Sequence, residues 1–291
     1  MLKGKAAIIT GTSRGLGKEI ARTYVKNGAG VFLCARDENR LKDVCGELEK
    51  ERTDPDQKVL FVRADISSET DIRNIVQRAV EEFGRIDILV NNAAVQGPIG
   101  RMEENDWNLW KETVQTDLFG PAFFIHSVLP IMKKQKKGKI INLSGGGATG
   151  PRENYSAYAV AKTGVVRLTE TIAREVKKDR IDINAVAPGA MTGTMLEETL
   201  QAGAEAVGEA EYAKALERKE KGGASLSEAA ELCLFLASEK SDGISGRLIS
   251  AVWDDWRNFS EQRIETMNHS DIYTLRRIIP QDRGENWDKV R

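Results

Sequence analysis

Apolar residues recur along the chain with two alternating spacings. Short apolar runs at residues 5–10, 30–35, 58–63, 87–94, 139–143 and 246–250 have the length of buried strands, and a further run precedes Pro188. Between them, apolar side chains recur three and four residues apart, which is typical of amphipathic helices. This alternation predicts right-handed crossovers and an α/β fold, a doubly wound parallel sheet of about seven strands with helices on both faces.

The domain organisation follows from the length and composition of the chain. No linker rich in Pro, Gly or Ser and no block of charge divides the 291 residues. One α/β domain of about 250 residues can bury a sufficient core. The sequence therefore predicts one domain over residues 1–250 and a C-terminal extension over residues 251–291.

A glycine-rich turn at residues 11–17 follows the first predicted strand and leads directly into a helix. Gly11, Gly15 and Gly17 let the backbone turn sharply and approach a pyrophosphate closely. The free amides and the positive dipole end of the helix face the negative charge. A strand-to-helix turn without a ligand is the alternative. The strand ends that follow favour the pyrophosphate site.

The second predicted strand ends at Ala35, about where the adenosine ribose of a dinucleotide would lie. Arg36 follows it, and Arg14 lies in the glycine turn, so two guanidinium groups can converge on a 2′-phosphate. The sequence therefore predicts NADP rather than NAD. Asp37 could instead turn inward, and Arg36 could be an ordinary solvated charge at a strand end.

The next three strand ends also carry polar side chains. Asp65 follows the third strand, Asn92 the fourth and Ser144 the fifth. In open parallel sheets, ligands bind beyond the carboxyl ends of the strands. Together with the strand ends at Gly11 and Arg36, these positions predict a single crevice.

Tyr158 and Lys162 are one helical turn apart on a predicted helix. Pairs with this spacing are common on solvated helix faces, so the pair alone is weak evidence for function. A tyrosine, with a reference pKa of about 10, exchanges protons near neutral pH only if a positive charge stabilises its anion. Lys162 can provide that charge, which makes Tyr158 the predicted proton donor or acceptor.

These features occur together in one order: TGTSRGLG at residues 10–17, the strand end at Asp65, NNAA at 91–94, Ser144, YAVAK at 158–162 and NAVAPGAMTGT at 184–194. In this order and spacing, the chain resembles the short-chain dehydrogenase/reductase family over roughly residues 3–250. The resemblance implies a Rossmann-type sheet and an enzyme that transfers hydride between NADP(H) and a small-molecule alcohol or ketone. It also implies a homodimer or homotetramer.

The resemblance further implies roles for individual residues. Tyr158 handles the proton of the substrate oxygen, Lys162 also holds the nicotinamide ribose hydroxyls, and Ser144 orients and polarises the oxygen. Thr192 or Thr194 bonds the carboxamide. The cofactor-binding residues are expected to be Gly11, Ser13, Arg14, Gly15, Leu16, Gly17, Arg36, Asp65, Ile66, Asn92, Ala93, Tyr158, Lys162, Pro188, Gly189, Met191 and Thr192.

Two positions of the predicted catalytic set depart from the family's pattern. The family's serine usually lies thirteen residues before the tyrosine, at Gly145 here, so Ser144 serves only if the glycines at 145–147 absorb one residue. Thr149 is a weaker substitute, and loss of the hydroxyl is the remaining alternative. Asp117 stands where the family commonly has an asparagine that helps to anchor a proton-relay water. Its carboxylate changes the local charge and the expected pH profile.

The overall composition narrows the range of partners. With 43 basic and 44 acidic residues, the net charge of −1 argues against a general nucleic-acid binder. Cys34, Cys45 and Cys233 have no metal-ligand spacing, so neither a disulfide scaffold nor a metal site is expected, and reduced thiols fit the cytoplasm. No apolar run approaches the roughly 20 residues that span a bilayer, and no signal peptide precedes the first strand, so no membrane partner is expected.

Two further segments could contact the substrate. Residues 193–223 are predicted to form one or two helices, which in the family act as a mobile lid that sets substrate identity. The extension contains side chains that suit sugars, carboxylates or phosphates, namely Trp253, Trp256, His269, Tyr273, Arg276, Arg277 and Trp287. Packing of these side chains at an oligomer interface is the favoured alternative.

The sequence thus predicts an NADP(H)-dependent oxidoreductase for a secondary alcohol or ketone, with a sugar-derived or anionic substrate suggested by the extension. A 3-oxoacyl-thioester reductase is the alternative within the same class. A protein that binds the dinucleotide without turnover, as a redox sensor or scaffold, is the alternative from another class. Tyr158 and Lys162 argue against that last alternative.

Overall fold

Seven parallel strands form one sheet in the computed structural model, which describes residues 1–287. They are β1 Ala6–Thr10, β2 Gly30–Ala35, β3 Val59–Arg63, β4 Ile88–Asn91, β5 Gly138–Leu143, β6 Ile181–Ala187 and β7 Leu248–Ser250. Their order across the sheet is β3-β2-β1-β4-β5-β6-β7, so the order reverses between β1 and β4. The predicted doubly wound parallel sheet of about seven strands is confirmed.

Ten α-helices connect or follow these strands within residues 1–287. They are α1 Gly15–Lys26, α2 Glu38–Glu49, α3 Glu69–Phe83, α4 Trp107–Val114, α5 Gly120–Gln135, α6 Ser156–Glu175, α7 Thr194–Val207, α8 Glu209–Lys221, α9 Leu226–Ala237 and α10 Glu261–Asn268. Between α4 and α5 the chain forms one π-helical turn, Gln115–Phe119, which the spacing of apolar residues does not reveal.

Helices cover both faces of the sheet, which explains why the strands consist mainly of apolar residues. Every residue of β1 is buried. Successive side chains of a strand point to opposite faces. Ile9 packs in the core under α1, α2 and α9, and Ile8 packs in the core under α3, α5 and α6. The reversal between β1 and β4 then leaves a crevice beyond the carboxyl ends of these strands, where ligands bind in such sheets.

Two helices, α7 and α8, form the segment predicted to be a lid over residues 193–223. They meet at Gly208, whose φ of +91° lies in the left-handed region that favours glycine. Gly203, with a φ of +79°, interrupts α7. The lid is therefore built from short helical pieces joined at glycines.

The extension after β7 packs against the domain. Trp256 is buried against Phe235 of α9, with ring centroids 5.8 Å apart. The backbone N–H of Leu248 donates a hydrogen bond to the carbonyl of Tyr273 at 2.8 Å. The extension therefore covers part of the free edge of β7. The last four residues of the predicted extension, 288–291, lie outside the described residues.

None of the helices within residues 1–287 has the length and apolar character needed to cross a bilayer. In the same range, no group of three or more His, Cys, Asp or Glu side chains is arranged to hold a metal ion. Cys34, Cys45 and Cys233 are buried free thiols. Burial raises the pKa of the Cys34 thiol to about 12, so this cysteine is not a ready nucleophile near neutral pH.

Candidate active site

Tyr158, Lys162 and Asp117 form a buried cluster beside the carboxyl end of β5. The Lys162 Nζ lies 5.4 Å from the centre of the Tyr158 ring and 3.3 Å from Asp117 Oδ2. It also donates a hydrogen bond to the Leu143 carbonyl at 3.3 Å. Tyr158, Lys162 and Asp117 are 7%, 3% and 0% exposed. A group that can exchange a proton is thus held beside an ion pair that solvent barely reaches.

Local helix geometry places these three side chains. Tyr158 and Lys162 are four residues apart in α6, so they share a face, and both are buried. Asp117 lies in the π-helical turn, and its Oδ1 accepts a hydrogen bond from the Val95 amide at 2.9 Å. Single π-helical turns inside helices occur frequently at functional sites. The π-helical turn therefore interrupts the helical segment from α4 to α5 at the point where the Asp117 carboxylate meets Lys162.

The charges of this cluster oppose one another. Burial raises the pKa of Tyr158, the Lys162 charge lowers it and the Asp117 charge raises it, and the net shift is upward. Burial lowers the pKa of Lys162, but the nearby Asp117 and Tyr158 outweigh burial and raise it. Lys162 is therefore kept charged. Asp117 offsets part of that charge and weakens the stabilisation of the Tyr158 phenolate.

Replacing Asp117 should change the pH dependence of the reaction. In Asp117→Asn, we expect the pKa of Tyr158 to fall, because the negative charge that opposes its ionisation is removed while Lys162 remains. Oxidation of an alcohol needs the phenolate, so the rising limb of kcat/KM against pH should move to lower pH. Profiles of alcohol oxidation measure the shift. Glu112→Gln, which removes an exposed carboxylate from α4, serves as the control and should leave the limb in place. A limb that moves to higher pH in Asp117→Asn would contradict this account.

The Tyr158 hydroxyl lies directly against the backbone of Gly145, the position where the family usually has its serine. A Cβ atom added to Gly145 would collide with the hydroxyl oxygen. Ser144 is buried, and its Oγ has no hydrogen-bond partner within the described residues. Thr149 is exposed. The role of Ser144 in orienting the substrate stays a prediction, and it requires the free Oγ to meet a ligand.

The glycine turn leaves an open surface at the N-terminus of α1. Gly15 has a φ of +56°, and a Cβ atom added there meets no atom within 4 Å. A Cβ on Gly17 would collide with the Gly11 carbonyl oxygen, so the helix packs on the turn too closely for a larger residue. Arg14 precedes the helix and makes no side-chain hydrogen bond to its first amides. Because no side chain within residues 1–287 accepts a hydrogen bond from these amides, the turn fits a pyrophosphate.

Thr10 connects the end of β1 to the end of β4 by hydrogen bonds. Its Oγ accepts hydrogen bonds from the amides of Asn92 and Ala93, both at 2.9 Å. The Asn92 side-chain amide donates in turn to the Thr10 carbonyl at 2.9 Å. Ser13 and Leu16 lie in the adjoining glycine turn, where Leu16 is buried. The two strands that flank the crevice are thus held together where cofactor contacts are predicted.

Asp65 and Ile66 follow β3 in a turn that Ser67 stabilises. The Asp65 carboxylate accepts hydrogen bonds from the Ser67 amide at 2.9 Å and from its hydroxyl at 2.8 Å. Ile66 is buried, and its carbonyl oxygen would lie 2.6 Å from a Cβ atom on Gly120. The turn therefore fixes the Asp65 side chain without a ligand.

Pro188, Gly189, Met191 and Thr192 lie on the segment between β6 and α7. Gly189 has a φ of +89°, and a Cβ atom there would come within 2.7 Å of the Val252 side chain. Met191 packs against the core, and Thr192 is exposed. The first residues of the extension therefore touch the loop that is predicted to pass the nicotinamide.

The Asp37 carboxylate, which could have turned inward, instead faces helix α2, which begins at the next residue. It accepts a hydrogen bond from the Arg40 amide at 3.1 Å as the N-cap of α2, and it lies 3.2 Å from the Arg40 Nε. Arg14 and Arg36 are both exposed. The end of β2 therefore presents Arg36 to solvent, with the neighbouring carboxylate already engaged.

A second polar cluster connects the lid to the loops below it. Thr199 of α7 accepts hydrogen bonds from the Tyr155 hydroxyl at 3.2 Å and from Gln96 Nε2 at 2.8 Å, and all three residues are buried. Asn154 donates to the Val207 carbonyl at 3.2 Å. Helix α7, in the segment predicted to be a lid, is thus hydrogen-bonded to the loops that follow β4 and β5. These residues belong to no sequence motif, and only the tertiary structure brings them together.

Comparison with known proteins agrees with this geometry. A family model described as short chain dehydrogenase matches residues 5–204. A short chain dehydrogenase/reductase of Aspergillus oryzae is 32% identical over 254 residues, which are 86% of this chain and 94% of the relative. A 3-oxoacyl-(acyl-carrier-protein) reductase of Thermotoga maritima is 32% identical over 251 residues, which are 85% of this chain and 96% of the relative.

Solved structures with the same fold include two named dehydrogenases or reductases. Levodione reductase superposes with a TM-score of 0.78 at 29% identity, covering 86% of this chain and 96% of that chain. NAD⁺-bound xylitol dehydrogenase superposes with a TM-score of 0.77 at 22% identity, covering 86% of this chain and 98% of that chain. At 22% identity, the second likeness shows the fold alone.

Proposed function

Because the chain belongs to the short-chain dehydrogenase family, we propose that it is an NADP(H)-dependent oxidoreductase that interconverts a secondary alcohol and a ketone. The buried cluster of Tyr158, Lys162 and Asp117 carries the proposal. It holds a proton-exchanging hydroxyl next to a charged lysine, at the end of the sheet where dinucleotides bind. Interconversion of a secondary alcohol and a ketone exchanges one proton and one hydride, and this cluster can handle the proton.

Tyr158 would exchange the proton on the substrate oxygen. In reduction, its hydroxyl donates to the carbonyl oxygen, and in oxidation, its phenolate accepts the proton of the alcohol. Lys162 stabilises the phenolate, and Asp117 keeps the lysine charged in its buried position. When bound, the dinucleotide supplies the hydride to the carbonyl carbon or accepts it from the alcohol carbon.

The proposed preference for NADP(H) rests on Arg14 and Arg36. Both guanidinium groups are exposed, one in the glycine turn and one just after β2, and Asp37 is engaged at the start of α2. A 2′-phosphate there would meet two cations, and the carboxylate next to Arg36 is already engaged. The xylitol dehydrogenase structure holds NAD⁺, so the fold itself does not decide between the two cofactors.

A charge-removing variant tests the cofactor preference. Arg36→Gln should reduce the preference for NADPH over NADH by about 10- to 100-fold, the loss expected for a charge-assisted hydrogen bond to phosphate. The effect should fall on the KM for NADPH and leave the KM for NADH unchanged. Arg174→Gln removes an exposed guanidinium from the last turn of α6, away from Asp37, and serves as the control. A wild type that prefers NADH, or a variant that weakens both cofactors equally, would refute the preference.

Two other functions are distinguished by turnover. The Thermotoga maritima relative favours a 3-oxoacyl-thioester reductase as the second candidate. Rates with sugar ketones, oxoacyl thioesters and simple cyclic ketones under saturating NADPH separate these substrate classes. A dinucleotide sensor would bind NADPH tightly and turn over none of these substrates. Its behaviour would be the same in Tyr158→Phe as in the wild type.

We also propose that the protein is a cytoplasmic homodimer or homotetramer. Four large apolar side chains are about half exposed on the surface formed by α4, the π-helical turn and α6, namely Trp107, Leu109, Phe119 and Val160. Exposed apolar side chains on neighbouring helices mark association surfaces. The reduced state of the three cysteines is consistent with the cytoplasm.

A further inference from the structure

Arg152 lies in the loop after β5, six residues before Tyr158. Its guanidinium stacks on the Tyr155 ring, 3.7 Å from the ring centre, and pairs with Glu211 of the lid helix α8 at 2.9 Å. The Arg152 and Glu211 side chains are 22% and 29% exposed, so the pair is largely buried but still borders solvent. A stacked guanidinium presents a planar fork of donors and loses little freedom when it binds.

Two consecutive glycines of the loop after β5 contact the Tyr158 hydroxyl and Arg152. Gly145 lies against the hydroxyl oxygen, and a Cβ atom on Gly146 would lie 3.6 Å from Arg152 Nη1. The hydroxyl and the guanidinium therefore approach adjacent residues of one loop. Burial raises the pKa of Tyr158, and Arg152 is one of the two cations close enough to lower it.

The Glu211 carboxylate pairs with the Arg152 guanidinium in the way that the anionic group of a ligand would. Glu211 belongs to the lid and would leave with it, whereas Arg152 belongs to the loop beside Tyr158. Arg218, also on α8, is a further cation close enough to act on Tyr155. Two cations and one carboxylate around Tyr155 leave an excess of positive charge for a substrate to neutralise.

We propose that Arg152 anchors a carboxylate of the substrate, which displaces Glu211 from the guanidinium while the substrate's carbonyl oxygen meets Tyr158. The proposal rests on the proposed function and narrows its substrate class to oxo acids and the corresponding hydroxy acids. The planar fork of an arginine matches a carboxylate bidentately, and the group that it already holds is a carboxylate.

The extension offers no comparable anchor at Arg276. This arginine lies 2.6 Å from Asp282 and also pairs with Asp271, so two carboxylates of the extension already compensate its charge. Arg276 is therefore not a free anchor for an anionic substrate, whereas Arg152 lies in the loop between β5 and the helix that carries Tyr158.

The test compares an oxo acid with its methyl ester, which differ in charge. With 4-oxocyclohexanecarboxylate and NADPH, Arg152→Gln should raise the KM for the acid by about 10- to 100-fold and leave the KM for the ester nearly unchanged. Glu211→Gln should lower the KM for the acid, because the competing carboxylate is removed. The KM for the acid should rise in Arg152→Gln and fall in Glu211→Gln. These opposite changes are specific to a guanidinium for which Glu211 and the substrate carboxylate compete.

A purely structural role would give a different pattern. If the Arg152–Glu211 pair only held the lid, both variants would change the acid and the ester alike and in the same direction, which would overturn the proposal. Arg73→Gln is a matched control, because Arg73 also pairs with a glutamate, Glu69, and also stacks on an aromatic ring, Phe123. It lies on α3 and should change neither KM.

Binding measured without turnover separates this proposal from the proposed function. Calorimetry with the unreactive cyclohexanecarboxylate and NADP⁺ should show binding to the wild type, its loss in Arg152→Gln and its strengthening in Glu211→Gln. Absence of binding to the wild type would overturn the anchor even if the ester is reduced. Failure to reduce either ketone would count against the proposed function, while the calorimetry still decides the anchor.

Discussion

Tyr158→Phe is expected to abolish most of the catalysis and to leave the fold and the cofactor site intact. Phenylalanine keeps the ring that packs beside Lys162 and removes only the hydroxyl. A positioned general acid or base contributes up to about ten-thousandfold to a rate, and the 7% exposure of Tyr158 leaves little room for water to replace it. We therefore expect kcat for ketone reduction to fall by about a thousandfold or more. NADPH binding, followed by fluorescence, should stay within about twofold.

A second buried tyrosine provides the matched control for Tyr158→Phe. Tyr24 is fully buried in α1, and its hydroxyl donates a hydrogen bond to the Cys233 carbonyl at 2.9 Å. Tyr24→Phe should lose about 1 kcal/mol of unfolding free energy and keep its kcat. If Tyr158→Phe retained a tenth or more of the wild-type kcat, or if it lost NADPH binding to the same extent as kcat, Tyr158 would not be the proton-exchanging group.

Lys162→Met should damage both activity and stability. The variant leaves the Asp117 carboxylate, which is 0% exposed, with the Val95 amide as its one hydrogen-bond donor among residues 1–287. Removing one partner of a buried ion pair costs about 3 to 5 kcal/mol, because the other charge stays uncompensated. The pKa of Tyr158 should rise further without the lysine, and kcat should fall by about a thousandfold. Urea unfolding and steady-state kinetics on the same preparation measure the two losses.

A double variant separates the two effects of Lys162. In Lys162→Met with Asp117→Asn, both charges of this ion pair are removed, so most of the lost unfolding free energy should return. Activity should stay low, because Lys162, the cation with the larger effect on the Tyr158 phenolate, is still missing. A double variant as unstable as Lys162→Met would show that the lysine acts through packing, and recovery of kcat would show that its charge is not needed.

Most of the fold and the centre of the site could be predicted from local patterns. Most of the strands are buried on both faces, so they are mainly apolar and visible without a structure, as in β1 and β2. The spacing of Tyr158 and Lys162 places both on one helix face, and the glycines of the turn at 11–17 mark where a backbone must come close to a phosphate. These inferences need only the geometry of a strand or a helix.

The register of the substrate-orienting serine could not be predicted in this way. The sequence leaves Ser144, Thr149 and loss of the hydroxyl as alternatives, because three glycines can absorb one residue in several ways. The structure brings the Tyr158 hydroxyl against Gly145 and leaves the Ser144 Oγ buried without a partner within residues 1–287. The path of a glycine-rich loop depends on what packs around it, and no short-range pattern records that.

The sequence by itself determined the parallel sheet, the glycine turn and the Tyr158–Lys162 pair, because backbone geometry fixes the periodicities that define them. Only the tertiary structure decided that Asp117 shares a buried space with Lys162, and that Glu211 of α8 pairs with Arg152 of the loop after β5. These contacts join segments far apart in the chain. Their energies depend on burial and on which charges meet in a low dielectric, and neither is set until the loops and the lid have packed.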